Sequence, residues 1–302
     1  MQVCKAPIGH GGGYVGCGRC LPCRVRKKRE WVHRILLEAS LNADNSFVTL
    51  TYDDDHLPED HNVSPADFRA FTDLFRYYHG PFRYFGVAEY GDEYGRPHYH
   101  LVIFGLPAVD ASRDLVHKSW KYQGLVQVDA LTVERANYIA GYVVKKMTAH
   151  DDERLCGRWP EFRRSSLGLG KGMIDEIVST ISRYNIRAEN GDVPYMLAHG
   201  GKLLPLGKYL RRLARLRLAG VTDEMMVATR GRPLARMRLL EHAKAPAHVT
   251  AQLDEDMQEV RAAARADKEH PSELHHLTAA LVPKAEKVER RHRLFQKRKG
   301  KL

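Results

Sequence analysis

The chain has 302 residues, 43% of them hydrophobic, which is enough for one large domain or two smaller ones with real cores. Lys and Arg number 48 against 37 Asp and Glu, and the net charge of +11 favours partners that carry negative charge, phosphate backbones first. No apolar run is long enough to span a bilayer and MQVCKAPIGHGGGYVGCGRC lacks the apolar core of a secretory signal, so a cytoplasmic location and no membrane partner are expected.

Residues 1–23 are rich in Gly and Cys and read as loop. Four of the five cysteines lie there: Cys4, then Cys17, Cys20 and Cys23 at C-x2-C-x2-C spacing. In a reducing compartment, clustered thiols point to metal more than to disulfides, and four thiolates can close a tetrahedral structural zinc site. His10 is an alternative ligand, and reduced, unligated thiols in a loose arm are the competing reading. Cys156 reads as an ordinary thiol. RVRKKREWVHRILLEASL (24–41) then places Val25, Trp31, Ile35, Leu36 and Ala39 at helical spacing. Its basic half, Arg24, Arg26, Lys27, Lys28 and Arg29, is a candidate grip on DNA phosphates, or else a solvated helix face.

FVTLTY (47–52) is β-branched and aromatic and reads as a strand. SPADFRAFTDLFRYYHG predicts a helix with Ser64 as N-cap, Pro65 at the first helical position and Gly80 at the end. FRYFGVAEYG, the turn DEYGRP and HYHLVIFG predict an antiparallel hairpin. A short helix (111–120), a strand (124–132) and a helix (133–147) follow. The order strand, helix, strand, strand, helix, strand, helix suggests an α+β fold, one antiparallel sheet with helices on one side. Beyond about residue 150, ISRYNIRAENGDVPYML and GGKLLPLGKYLRRLARLRLAG read as a small strand pair and a basic helix. From Val249 the text is helical and heavily charged. The expected organisation is an arm and helix (1–41), a catalytic domain (42–175) and a basic, mainly helical C-terminal region (176–302).

Alternate residues of a strand share a face, so His98 and His100 point together and Tyr99 points away, toward the core. Two imidazoles and a carboxylate can bind one divalent cation, and Glu89 on the neighbouring strand can supply the oxygen. The alternative is a pair of polar residues on a sheet. In NYIAGYVVKK, Tyr138 and Tyr142 are four apart and stack on one helical face, with Lys145 and Lys146 after them. An isolated pair of this kind is packing; Gly141 between the tyrosines allows close approach to something else.

FVTLTY, then HYH before an apolar run, then YxxxY with a following Lys, resembles the three-motif layout of HUH endonucleases. The details resemble one branch, the rolling-circle replication initiators of microviruses, gokushovirus-like in particular. GVAEYGDEYGRPHYHLVIFG, NYIAGYVVKK, CGRCLPCRVRKKREWVHR and FRRSSLGLGKG carry that resemblance, over roughly residues 4–175. It implies that His98, His100 and Glu89 hold Mg²⁺ or Mn²⁺ and that Tyr138 or Tyr142 attacks the scissile phosphate of single-stranded or origin DNA. The products would be a 5′-phosphotyrosine and a free 3′-hydroxyl that primes synthesis, with later rejoining of the displaced strand. Only roughly 0.1% of a free phenol is ionised at pH 7, so a cation and Lys145 would have to favour the anion or take its proton. Distant relatives carry a lysine between the tyrosines where this chain has Gly141, which moves that role to Lys145. There is no GxxxxGK[ST] loop, so a host helicase and polymerase are the expected partners in the bacterial cytoplasm. Thr49 and Thr51 are read mainly as packing. Competing readings are a His-based phosphohydrolase and a non-enzymatic basic protein that binds single strands.

Overall fold

The computed structural model describes residues 4–10, 13–91, 94–145, 155–186, 191–244, 247–266 and 273–299. Two short strands, β1 (Ile8–His10) and β2 (Gly13–Val15), pair ahead of helix α1 (Leu21–Ala39). Then come β3 (Asn45–Thr51), α2 (Pro65–His79), β4 (Arg83–Tyr90), β5 (Pro97–Phe104), α3 (Asp110–Ser119), β6 (Val126–Ala130), α4 (Val133–Lys145) and β7 (Phe162–Ser165). The strands form one antiparallel sheet in the order β6-β3-β5-β4-β7. Helix α2 starts as its sequence dictates: the Ser64 side chain accepts from Asp67 N at 3.0 Å and Pro65 follows.

The expected α+β architecture is present, but helices cover both faces of the sheet rather than one. On the first face, Leu50, Tyr99, Leu101 and Ile103 pack with Phe68, Phe71 and Phe75 of α2 and Val116 of α3, beside Trp120. Each such side chain contributes about 1.5–3 kcal/mol by its burial. Tyr99 is buried here, as its strand parity requires, and its hydroxyl accepts from Ser64 N at 2.7 Å and meets the Tyr52 hydroxyl at 3.0 Å. Gly86 lets α2 approach this closely, since a Cβ there would stand 2.6 Å from Phe68 Cζ. On the second face, Trp31 of α1 meets Phe85 with ring centres 5.1 Å apart, Glu38 pairs with Arg83, and α4 packs on β4 and β5. Alternation along β3, β4 and β5 lets each strand feed both layers, which hides the second layer from a reading of helix order alone.

Strand β7 was not expected. Two arginines in four residues conceal its alternation, yet Arg163 lies over Trp31 at 4.1 Å while Phe162 turns to Phe68 on the opposite face.

The chain divides into two units, residues 31–173 and residues 1–30 with 174–302, and the division falls within α1. The second unit adds α5 (Ile174–Arg183), the hairpin β8 (Met196–His199) and β9 (Lys202–Pro205), and α6 (Gly207–Leu218). Helices α7 (Asp223–Ala228), α8 (Pro233–Glu241), α9 (Ala247–Ala266) and α10 (Glu273–Lys299) complete it, in line with the expected helical region. The residues ISR belong to α5, not to a strand; the signal was there in Ile174, Ile177 and Ile181, all buried. The strand pair lies later, where Gly200 and Gly201 at φ 56° and 72° supply the two left-handed residues of a tight hairpin turn. Asp192 is buried against α6, with Arg211 Nη2 and Arg215 Nη2 each 2.5 Å from its Oδ2.

Candidate active site and metal centre

Strand register assembles the polar cluster. Glu89 lies directly opposite His98 across β4–β5, while Thr51 and Thr49 lie opposite His98 and His100 across β3–β5. Directly opposed residues share a face, so all five meet on the face that α4 covers. His100 is 6% exposed and Glu89 8%, so both need partners in place of water. His100 Nε2 is 2.9 Å from Glu89 Oε1, and its Nδ1 is 3.0 Å from Thr49 Oγ1. Burial pushes His100 down to about 4, so the ring is neutral at pH 7, with one nitrogen a donor and the other an acceptor. The carboxylate can only accept, which assigns the proton to Nε2; Nδ1 then accepts from the Thr49 hydroxyl. His98 Nδ1 donates to the Arg96 carbonyl at 2.8 Å, which fixes its tautomer and leaves Nε2 with a lone pair.

This donor set fits a divalent cation. An ion at His100 Nε2 would displace the proton now shared with Glu89, and the Thr49 hydroxyl can turn to accept from Nδ1–H instead. Glu89, His98 and His100 share a face without closing on one point; the rings of His98 and His100 are 6.3 Å apart, centre to centre. Thr49 is the residue that sequence reasoning set aside as packing. Its role depends on the β3–β5 register, which no local pattern encodes.

The tyrosines of α4 complete the cluster. Tyr142 stacks on His100 with ring centres 5.8 Å apart and planes 12° apart, and Tyr138 meets the same ring edge-on at 5.5 Å. The two phenol rings are 5.1 Å apart, as residues one helical turn apart should be. Tyr142 is 5% exposed and Tyr138 42%, so one is sealed against the histidine and the other opens to solvent. Lys145 closes α4, but its side chain lies outside the described residues, as does all of Lys146.

The cysteines come together elsewhere, in the unit of residues 1–30 with 174–302. The ligand atoms of Cys4, Cys17, Cys20 and Cys23 all lie within 4.8 Å of one another, the one group of at least three His, Cys, Asp or Glu among the described residues gathered so as to hold a metal ion. None is in a disulfide, and Cys156 is exposed. Burial pushes Cys23 up to about 12; for Cys17 the same effect is outweighed by the N–H groups of Cys20 and Arg19 and the thiols of Cys4 and Cys20, which hold it at about 7. The side chain of His10 lies outside the described residues. The basic run sits on the first turns of α1, and part of it has partners: Arg26 and Lys27 reach Glu30 at 3.5 and 3.8 Å, and Arg29 donates to the Leu203 carbonyl at 2.7 Å. No helix among the described residues is long and apolar enough to cross a membrane.

Residues 45–151 match the family model for replication-associated proteins of the ORF2 type. The chain is 31% identical over 159 residues to Replication-associated protein VP4 of Bdellovibrio phage phiMH2K, covering 45% of this chain and 50% of that protein. It is 33% identical over 179 residues to Replication-associated protein ORF2 of Spiroplasma virus 4, covering 52% and 55%. Against Replication-associated protein ORF4 of Chlamydia phage 1 it is 30% identical over 159 residues, covering 45% and 39%. The chain therefore spans about half the length, or less, of these curated relatives. No solved structure matches it significantly. The matched segment runs from β3 through α4 and holds Thr49, Glu89, His98, His100, Tyr138 and Tyr142, and through it the chain belongs with the phage replication-associated proteins of this family.

Proposed function

We propose that the chain initiates rolling-circle replication by nicking single-stranded or origin DNA through a tyrosine, and later rejoins the displaced strand. The observation that supports this most is the stack over one buried histidine: Tyr142 face to face with His100, and Tyr138 edge-on to it. Nucleophile and metal ligands are thus within one ring contact, as in-line attack on a polarised phosphate requires.

In this reading His98, His100 and Glu89 hold Mg²⁺ or Mn²⁺. When bound, the ion polarises the scissile phosphate and offsets the charge that builds on it. Thr49 and the Arg96 carbonyl orient the two imidazoles. The phenolic oxygen of one tyrosine attacks phosphorus; the new O–P bond forms as the P–O3′ bond breaks. The DNA 5′ end stays on the tyrosine and the 3′ oxygen leaves as a hydroxyl primer. Lys145, three residues beyond Tyr142 on α4, is the proposed partner of the departing phenolic proton. The second tyrosine cuts the regenerated junction, and the freed 3′-hydroxyl attacks the first phosphotyrosine to seal the strand. Tyr138, the more exposed, is the proposed first nucleophile.

Residues 42–175 are the proposed nuclease domain, with 1–41 as the arm and helix and 176–302 as the C-terminal region. Arg24, Arg26, Lys27, Lys28 and Arg29 are proposed to add phosphate contacts, and a host helicase and polymerase to complete replication in the bacterial cytoplasm. The test is cleavage of a labelled origin oligonucleotide with Mn²⁺ and with EDTA, followed by mass spectrometry of the trapped adduct. Metal-dependent cleavage and phosphotyrosine support the reading; phosphohistidine, or DNA binding without cleavage, contradicts it.

A further inference from the structure

Cys4 and Cys23 are buried, at 0% and 2% exposure, and Cys17 and Cys20 are half-buried. Four thiols gathered in one place without a disulfide call for a physical reason. Their spacing supplies one. Bonds of about 2.3 Å from a central zinc ion to four sulfurs put the sulfurs about 3.8 Å apart at the corners of a tetrahedron. Cys4 Sγ and Cys20 Sγ are 3.8 Å apart, and all four lie within 4.8 Å of one another. A disulfide would need about 2.05 Å. A cluster of several irons would sit between the cysteines and hold their sulfurs farther apart.

The surrounding backbone is arranged for thiolates. Cys17 N–H donates to Cys4 Sγ and Cys20 N–H to Cys17 Sγ, each at 3.3 Å. Gly18, at φ 73°, makes the turn that folds Cys17 back toward Cys20. Cys20 precedes and Cys23 falls within the first turn of α1, where the net negative charge of four thiolates on a dication is favoured.

We propose that Cys4, Cys17, Cys20 and Cys23 bind one structural zinc ion as a closed four-thiolate site that fastens residues 4–20 to the start of α1. Each thiol gives its proton to solvent as its sulfur binds, and nothing is oxidised or reduced. With four protein ligands no position is open to substrate, so the ion serves folding and not cleavage. The site is independent of the nickase reading, because it shares no residue with the histidine and tyrosine cluster.

The test is the metal content of the full chain, purified under reducing conditions without chelator. Wild type should carry about one zinc per chain, and Cys17→Ser or Cys20→Ser below about a tenth of that. Cys156→Ser and the His98→Ala, His100→Ala double variant should keep the full content. Cobalt exchanged into wild type should show the visible bands of tetrahedral thiolate coordination, a readout that survives even where the serine variants fail to fold. Wild type that neither retains nor takes up zinc, iron in its place, or full zinc in Cys17→Ser overturns the proposal. Loss of DNA cleavage with zinc intact would count against the nickase reading alone.

Discussion

Replacing Thr49 by Val keeps the shape of the side chain and removes one hydroxyl, the one that stands 3.0 Å from His100 Nδ1. His100 is 6% exposed, so water cannot easily replace the lost partner. A buried ring nitrogen left unpaired costs about 1–3 kcal/mol, or roughly 5- to 150-fold in an equilibrium constant. Loss of a group that orients a metal-binding histidine typically costs about 10- to 100-fold in metal affinity, and the two estimates overlap. The expected result is a rise of about 10- to 100-fold in the Mn²⁺ concentration that half-activates nicking of an origin oligonucleotide. Thr49→Ser, which restores the hydroxyl, should recover most of the loss. Thermal melting without metal separates weaker binding from a weakened fold. Equal Mn²⁺ midpoints for Thr49→Val and wild type, or Ser no better than Val, would refute the assignment of Thr49 as the group that holds His100.

The other predictions concern the tyrosines, the histidines and the second unit. Tyr138→Phe should remove more first-strand cleavage than Tyr142→Phe, because Tyr138 is 42% exposed and Tyr142 5%; the reverse order in a single-turnover assay would exchange their roles. His98→Ala with His100→Ala should abolish nicking and leave most DNA affinity, which is mainly electrostatic; parallel loss of both in filter binding and cleavage would make the pair structural. Asp192→Asn should destabilise the fold by about 3–5 kcal/mol in urea unfolding, since it strips Arg211 and Arg215 of their buried counter-charge. Burial pushes the Asp192 carboxyl up, but Arg215, the Val193 N–H and Arg211 outweigh it and hold it below the usual range. Its stabilisation is therefore complete above the unfolded value of about 3.9 and lost as pH falls through the lower folded value, so the gap to Asp192→Asn should narrow in acid. A pH-independent gap would rule out this ion pair as its source.

Much of the nuclease fold is legible in local patterns. Ser64 and Pro65 announce α2, and alternation in RYFGVAEY and PHYHLVIF announces the hairpin that sets Glu89 opposite His98. What local pattern cannot carry is which elements meet. The second helix layer, the seating of Tyr138 and Tyr142 on His100, and the hydroxyl of Thr49 at its Nδ1 all depend on residues far apart in the chain. β7 escaped because arginines fill half of it, although the guanidinium of Arg163 is used as a flat surface over Trp31. The cysteine spacing named four candidates, but only the approach of Cys4 to Cys20 within 3.8 Å makes them one site.

Covalent capture decides whether these tyrosines cut DNA. A labelled origin oligonucleotide is incubated with Mn²⁺ and wild type, Tyr138→Phe, Tyr142→Phe or the double variant, then resolved under denaturing conditions. Wild type should give a protein–DNA adduct, at least one single variant should retain some, and the double variant should give none while still binding the oligonucleotide. An adduct of undiminished yield from the double variant would contradict the tyrosine mechanism outright.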